Sequence, residues 1–173
     1  MKTYKVKKGW HFAWPFHIGF RWNPTAMTKV VNFDRSSLYT LTGENHMQIN
    51  KLFGLSYGRH SNNSARFGWR VNPAHPGKIE ILAYARVAGR VVGVGVWADT
   101  NITLGFIDVE TDSRMTITKD DVNYNFSFLD QNDKLLGCLS IPHLGTVPKW
   151  SYDLNFFFGG TKPAPQDVAV TFK

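Results

Sequence analysis

The sequence predicts an all-β protein, built as an antiparallel sandwich or a closed barrel. Three observations carry this. First, two segments alternate strictly: in Ser64–Val71, Ser64, Arg66, Gly68 and Arg70 interleave with Ala65, Phe67, Trp69 and Val71. In 78–87, Lys78, Glu80, Leu82, Tyr84 and Arg86 interleave with Ile79, Ile81, Ala83, Ala85 and Val87. A period of two puts one set on a buried face and the other on a solvated face of a strand. Second, similar short runs recur at near-regular spacing along the chain, and no long window shows helical periodicity with caps. Third, aromatic residues make up 14% of the chain, with 13 Phe, 6 Trp and 6 Tyr, and wide flat side chains suit the space between sheets.

The elements follow in order. Residues 1–30 are basic and aromatic (Trp10, Trp14, Phe16, Phe20, Trp22), and Pro15 and Pro24 exclude a helix there, so they read as an extended arm and edge strand packed on the body. Val30–Phe33 and Leu38–Thr42 read as short strands around a turn at 34–37. Gly43-Glu44-Asn45 reads as a turn, Met47–Leu55 as a strand and Tyr57–Asn63 as a polar loop. After the two alternating segments and a turn at Ala88-Gly89-Arg90, Val91–Trp97 reads as a strand with Gly93 and Gly95 on one face, a mark of a bulge or close backbone approach. Further strands are expected at 104–109, 114–118, 122–129 and 135–141. Tyr152, Leu154, Phe156 and Phe158 read as an inward set, and Val168, Val170 and Phe172 as the closing strand. No linker, repeat or low-complexity tract divides residues 1–173, so a single domain is expected.

Hydrophobic residues at 43% and charged residues at 19% exclude a disordered chain. Cys138 is the sole cysteine, so no internal disulfide forms, and its apolar surroundings (LLGCLSI) predict a buried small hydrophobe. The N-terminus lacks an apolar run of signal-peptide length, and no stretch has the length and apolarity of a spanning helix, which leaves cytoplasmic, virion and processed extracellular settings open. The net charge of +7 is uneven: residues 1–100 hold 14 Lys and Arg against 4 Asp and Glu, while residues 101–173 hold 6 against 9. Such an excess favours an anionic partner or serves solubility. No named nucleic-acid-binding motif accompanies it, so a nucleic-acid partner is not expected.

If the two alternating segments are sheet neighbours, Arg66, Arg70, Tyr84 and Arg86 share one solvated face with Ser64. Together with the preceding Lys-Leu-Phe-Gly at 51–54 and the FFFGG at 156–160, this pattern resembles the core of jelly-roll polysaccharide lyases of the alginate and glucuronan lyase type, over residues 47–172. The resemblance implies a concanavalin A-like jelly roll whose Lys-Leu-x-Gly, Ser-x-Arg and Tyr-x-Tyr strands line a concave groove. Lys51, Ser64, Arg66 and Tyr84 fall at the matching positions, whereas Arg86 stands where the second tyrosine is expected and Phe53 where a proline often stands. The chain is also similar to small β-sandwich proteins of gut bacteria and their phages, a likeness that implies no activity.

The chemistry implied is β-elimination on a uronic-acid chain. A cation neutralises the carboxylate, a base takes the C5 proton, and an acid protonates the leaving O4. Arg66 with Lys51 or Arg70 is the candidate for the carboxylate, Tyr84 for acid or base, and His60 for a second base; Ser64, Arg66, Arg70, Tyr84 and Arg86 are the candidate ligand contacts. Two arginines and a tyrosine on a strand face are equally compatible with cross-strand pairing. Trp10, Trp14 and Trp22 suit sugar stacking or core packing alike, while Phe53, Trp69 and Ile81 are read as core. His11, His17, His46, His75 and His143 show no metal-ligand spacing, and no metal or cofactor is expected. A weak Ca²⁺ signal sits at Asp108, Glu110 and Asp112, without the EF-hand spacing or glycine. Asp120-Asp121 reads as a turn. The expected function is recognition of acidic polysaccharide on the cationic face. The alternatives are a polysaccharide lyase and a non-enzymatic structural or adhesion protein such as a virion component.

Overall fold

The computed structural model describes residues 1–41, 47–92, 102–143 and 145–173. It is an antiparallel two-sheet sandwich of the jelly-roll type, with no α-helix among the described residues. The strands are β1 (Lys2–Val6), β2 (Ala13–Trp14), β3 (Phe20–Trp22), β4 (Ala26–Phe33), β5 (Asn50–Ser56), β6 (Ser64–Val71) and β7 (Lys78–Val87). They continue with β8 (Arg90–Val91), β9 (Thr103–Asp108), β10 (Asp112–Lys119), β11 (Asn123–Leu129), β12 (Leu135–Pro142), β13 (Trp150–Leu154) and β14 (Val168–Phe172). One sheet runs β12-β11-β10-β4-β14-β1-β2, and the other runs β3-β13-β5-β6-β7-β8, with β9 also on β7.

The alternating segments are sheet neighbours in the register their pattern requires, Arg66 opposite Tyr84 and Trp69 opposite Ile81. Their apolar set faces the other sheet. Trp69 is fully buried against the rings of Phe33, Tyr39, Phe156 and Phe158, and Phe67 meets Phe53 and Phe126. A one-residue slip would turn this set to solvent, so core burial pins the register. Tyr124, Phe126 and Phe128 of β11 close the core from the facing sheet, while Val122 lies before the strand and is exposed.

Several expectations are corrected. The arm ends at Trp22, because Ala26–Phe33 is an inner strand of the first sheet, between β10 and β14. Residues 38–41 are not a strand. A 3-10 turn at Arg35–Ser37, opened by the Asp34 carboxylate accepting from the Ser36 amide, leads into irregular chain. That chain buries Tyr39, whose hydroxyl accepts a 2.6 Å bond from the Asn50 amide. Cys138 is exposed, since β12 is an outer strand and the register sets Cys138 beside Ser127 and Thr116 on a polar face. The turn at 43–45, His46, and the Gly93 and Gly95 part of the expected strand lie outside the described residues.

Candidate functional site

Cross-strand register puts the candidate residues in rows on the outer face of the second sheet. Leu154, Gly54, Arg66 and Tyr84 form one row across β13, β5, β6 and β7. The next row holds Phe20, Tyr152, Ser56, Ser64 and Arg86, and beyond it Trp22 pairs with Trp150 at the sheet edge. Gly54 makes the first row possible. A Cβ there would lie 2.1 Å from the Ala65 carbonyl oxygen and 2.8 Å from the Arg66 Cγ, so only glycine lets the Arg66 side chain cross β5.

Arg66 is the centre. Its Nη2 donates to the Asn155 carbonyl, while its buried Nε has no hydrogen-bond partner among the described residues. Burial pulls its pKa down to about 10, against the opposing influence of Tyr84 and Tyr152, so it remains charged at neutral pH. Lys51 lies alongside, its Nζ donating to the Ile49 and Gly159 carbonyls (2.8 and 3.0 Å) and standing 5.1 Å above the Tyr84 ring. Burial, then the charges of Arg66 and Arg86, pull Lys51 down to about 8. Arg86 reaches the carbonyls of Ser61 and Gly89 only at long range, 3.4 and 3.3 Å. No carboxylate forms an ion pair with Lys51, Arg66 or Arg86 among the described residues.

His60, in the loop after β5, is brought to the same centre. Its Nδ1 lies 2.7 Å from the Tyr152 hydroxyl, and partial burial followed by the Arg66 and Arg86 charges lowers its pKa. It is therefore mostly neutral at pH 7, a state in which a ring nitrogen can accept a proton.

Tyr152 is the residue that sequence reasoning misplaced. It was expected inside with Leu154, Phe156 and Phe158, which are buried, yet it is only half-buried and faces the site. On β13 the polarity is inverted: Ser151 is buried and Trp150 exposed. Alternation of Ser151 and Asp153 with Trp150 and Tyr152 points the aromatic residues inward, so no sequence signal marks the inversion. Ser151 is satisfied by the Ser56 carbonyl and Asp153 by Arg21 at 2.6 Å, which lets the aromatic residues turn outward.

Two candidates do not present free groups. Arg70 is held by Glu80 at 2.7 and 3.0 Å, and the buried Glu80 carboxylate also accepts from Asn72 and Thr103. Ser64 is buried, as are Glu80 and Leu82, so the face expected to be wet is closed along much of its length.

The arm walls the exposed part. Phe12 bridges to Phe157, the His11 ring stacks on Phe157 at 5.4 Å, and the Asn155 amide donates to the His17 carbonyl. Between the arm and β13 lies a pocket of about 440 Å³, with Arg66, His60 and Tyr152 in its lining. Trp10, Trp14 and Trp22 are all exposed. Asp108, Glu110 and Asp112 are engaged by Lys78, Arg35 and Lys173 respectively, and no group of three or more potential metal ligands occurs among the described residues. No helix among those residues is long and apolar enough to cross a membrane.

No family model and no curated protein matches the chain. Among solved structures, it is similar to the alginate lyase from Klebsiella pneumoniae, with a TM-score of 0.60 at 11% identity over 85% of this chain. It spans 56% of that protein's length. The alginate lyase AlyC3 aligns with a TM-score of 0.53 at 9% identity, over 99% of this chain and 72% of its own. The GH43 protein BlXynB (K247S mutant) from Bacillus licheniformis aligns with a TM-score of 0.51 at 10% identity, over 98% of this chain and 31% of its own. At these identities the likeness is one of architecture: the chain shares the two-sheet jelly-roll fold found in alginate lyases.

Proposed function

We propose that the outer face of the second sheet recognises acidic polysaccharide, with a uronate carboxylate seated at Arg66 between Lys51 and Arg86, the whole chain acting as one jelly-roll unit. One observation carries this reading: three cations crowd one sheet face without an ion-paired carboxylate among the described residues. Mutual repulsion costs folding free energy, and an incoming anion relieves it. Tyr84 adds a hydroxyl in the same row, and Arg86, a departure from the family pattern, adds charge where a tyrosine would add none. The fold shared with alginate lyases is compatible with a saccharide ligand. Titration with oligouronates and matched neutral oligosaccharides tests it. A charge-assisted hydrogen bond contributes roughly 1.5–3 kcal/mol, so Arg66→Gln should weaken oligouronate binding about ten- to a hundredfold. Equal affinity for charged and neutral chains would refute the reading.

The His60–Tyr152 contact beside Arg66 favours a second reading, cleavage of the bound chain by β-elimination. With Nδ1–H donated to the Tyr152 oxygen, Nε2 is free to take the C5 proton. The C5–H electron pair forms the C4–C5 double bond as the C4–O4 bond breaks, and a tyrosine hydroxyl, Tyr152 or Tyr84, protonates O4. A lyase would release product with the ultraviolet absorbance of an unsaturated uronate, and His60→Ala would suppress that signal far more than binding. Binding with no such product under any tested condition would leave recognition alone.

A further inference from the structure

The pocket beside Arg66 has a lining that a bare sugar ring does not use. Its volume, about 440 Å³, falls within the range of small-molecule sites. The arm contributes Phe12, Phe16, Ile18 and Phe20, and the segment from β13 onward contributes Leu154 and Phe156. The polar groups in the lining are few and mostly engaged. Asp153 holds Arg21, the Asn155 amide donates to the His17 carbonyl, and Tyr152 pairs with His60. A ring bearing several hydroxyls would lose their water partners along the phenylalanine and isoleucine wall and find polar groups in exchange only at the Arg66 and His60 end. An apolar group loses nothing there. Arg66, with a buried orphan Nε, supplies charge at the polar end.

We propose that this pocket binds an acyl or aryl group carrying a carboxyl oxygen, with the apolar part against Phe16 and Ile18 and the oxygen at Arg66. The shared chemistry has two sources: an ester substituent on the acidic glycan, or a free amphipathic carboxylate. The site shares Arg66 with the glycan reading but does not depend on it. Phe16 and Ile18 are 55% and 58% exposed, so changing them alters the wall without removing core.

Calorimetry with octanoate, octylammonium, and oligouronates with and without O-acyl groups tests the site. Octanoate should bind saturably at one site, with the negative heat-capacity change of apolar burial. Octylammonium should bind at least about tenfold more weakly, since the pocket's charge is cationic. Ile18→Asp and Phe16→Ala, checked for intact β-structure by circular dichroism, should each weaken octanoate about tenfold or more by removing apolar contact or introducing charge. Tighter binding of the acylated oligouronate would assign the pocket to the substituent. Equal binding, with octanoate still bound, would assign it to free carboxylates. Absence of saturable octanoate binding, or indifference to both substitutions, would overturn the proposal even if the unsubstituted oligouronate binds. Octanoate binding without oligouronate binding would instead refute the glycan reading and leave this site standing.

Discussion

Lys51 and Arg66 show how a site residue is recognised by what it costs. Both are cations drawn out of water beside another cation, and backbone carbonyls and tyrosines, but no carboxylate among the described residues, answer them. For Lys51 the consequence is measurable. Its folded pKa of about 8 lies below the ordinary 10.5, so between these values the folded protein binds fewer protons than the unfolded chain. Stability should therefore rise with pH across that window, because the penalty of the buried ammonium is present below it and relieved above it. Anion binding should move the opposite way, falling as Lys51 loses its charge above about pH 8. Urea unfolding at about pH 7 and about pH 10 should show a rise in wild type that Lys51→Met lacks. Oligouronate titration over the same range should show the fall.

At the scale of elements, the site depends on how β5, β6 and β7 lie together. Gly54→Ala would push a methyl into the Ala65 carbonyl and the Arg66 backbone, where nothing flexible can yield. It should cost about 1–3 kcal/mol and displace Arg66, so midpoint denaturant and oligouronate affinity should fall together. The Arg70–Glu80 pair serves the sheet rather than the ligand. Burial acts to raise the Glu80 pKa, but hydrogen bonds from Arg70, Thr103 and Asn72, with the Arg70 charge, outweigh it and hold the value below 4.5. Its stabilising contribution is therefore complete above the unfolded carboxylate pKa and is lost as pH falls through the lower folded value. Glu80→Ala should destabilise by roughly 3–5 kcal/mol by stranding Arg70, with oligouronate affinity retained in the folded fraction. Loss of affinity without loss of stability would return Arg70 and Glu80 to the binding site.

Across the whole molecule, the N-terminal arm belongs to both sheets. β1 pairs with β14 along its length and buries Tyr4 and Val6, while β3 extends the other sheet beyond β13. The same segment walls the pocket. Deleting residues 1–22 should therefore lower the thermal midpoint sharply and abolish octanoate binding, as differential scanning calorimetry and titration would show. A deletion variant of wild-type stability would mean that β1 contributes little to the core. The charge imbalance also acts at this scale: the basic half contains the site, so raising salt should weaken oligouronate binding through screening of its exposed part while leaving the fold intact.

What the sequence determined by itself was whatever repeats every two residues under core burial. The all-β class and the burial of Phe67, Trp69, Ile79 and Ile81 follow from alternation, and once 64–71 pairs with 78–87, which the structure supplies, only one register hides those side chains. Arg66, Tyr84 and Arg86 were legible as neighbours for the same reason, whereas Lys51 was placed with them only by the family resemblance, because a register shift between Lys51 and Gly54 breaks the alternation on β5. Tertiary structure decided the partners. Whether an arginine is free or bound depends on which carboxylate lies across the sheet, so Arg70 was taken by Glu80 while Arg66 was not. Tyr152 looked like core because it is aromatic and alternates with Ser151 and Asp153, and only the satisfaction of Ser151 by the Ser56 carbonyl and of Asp153 by Arg21 lets it turn outward to His60. The pocket is less local still, because its walls lie more than a hundred residues apart in the chain and meet only when the arm crosses from one sheet to the other.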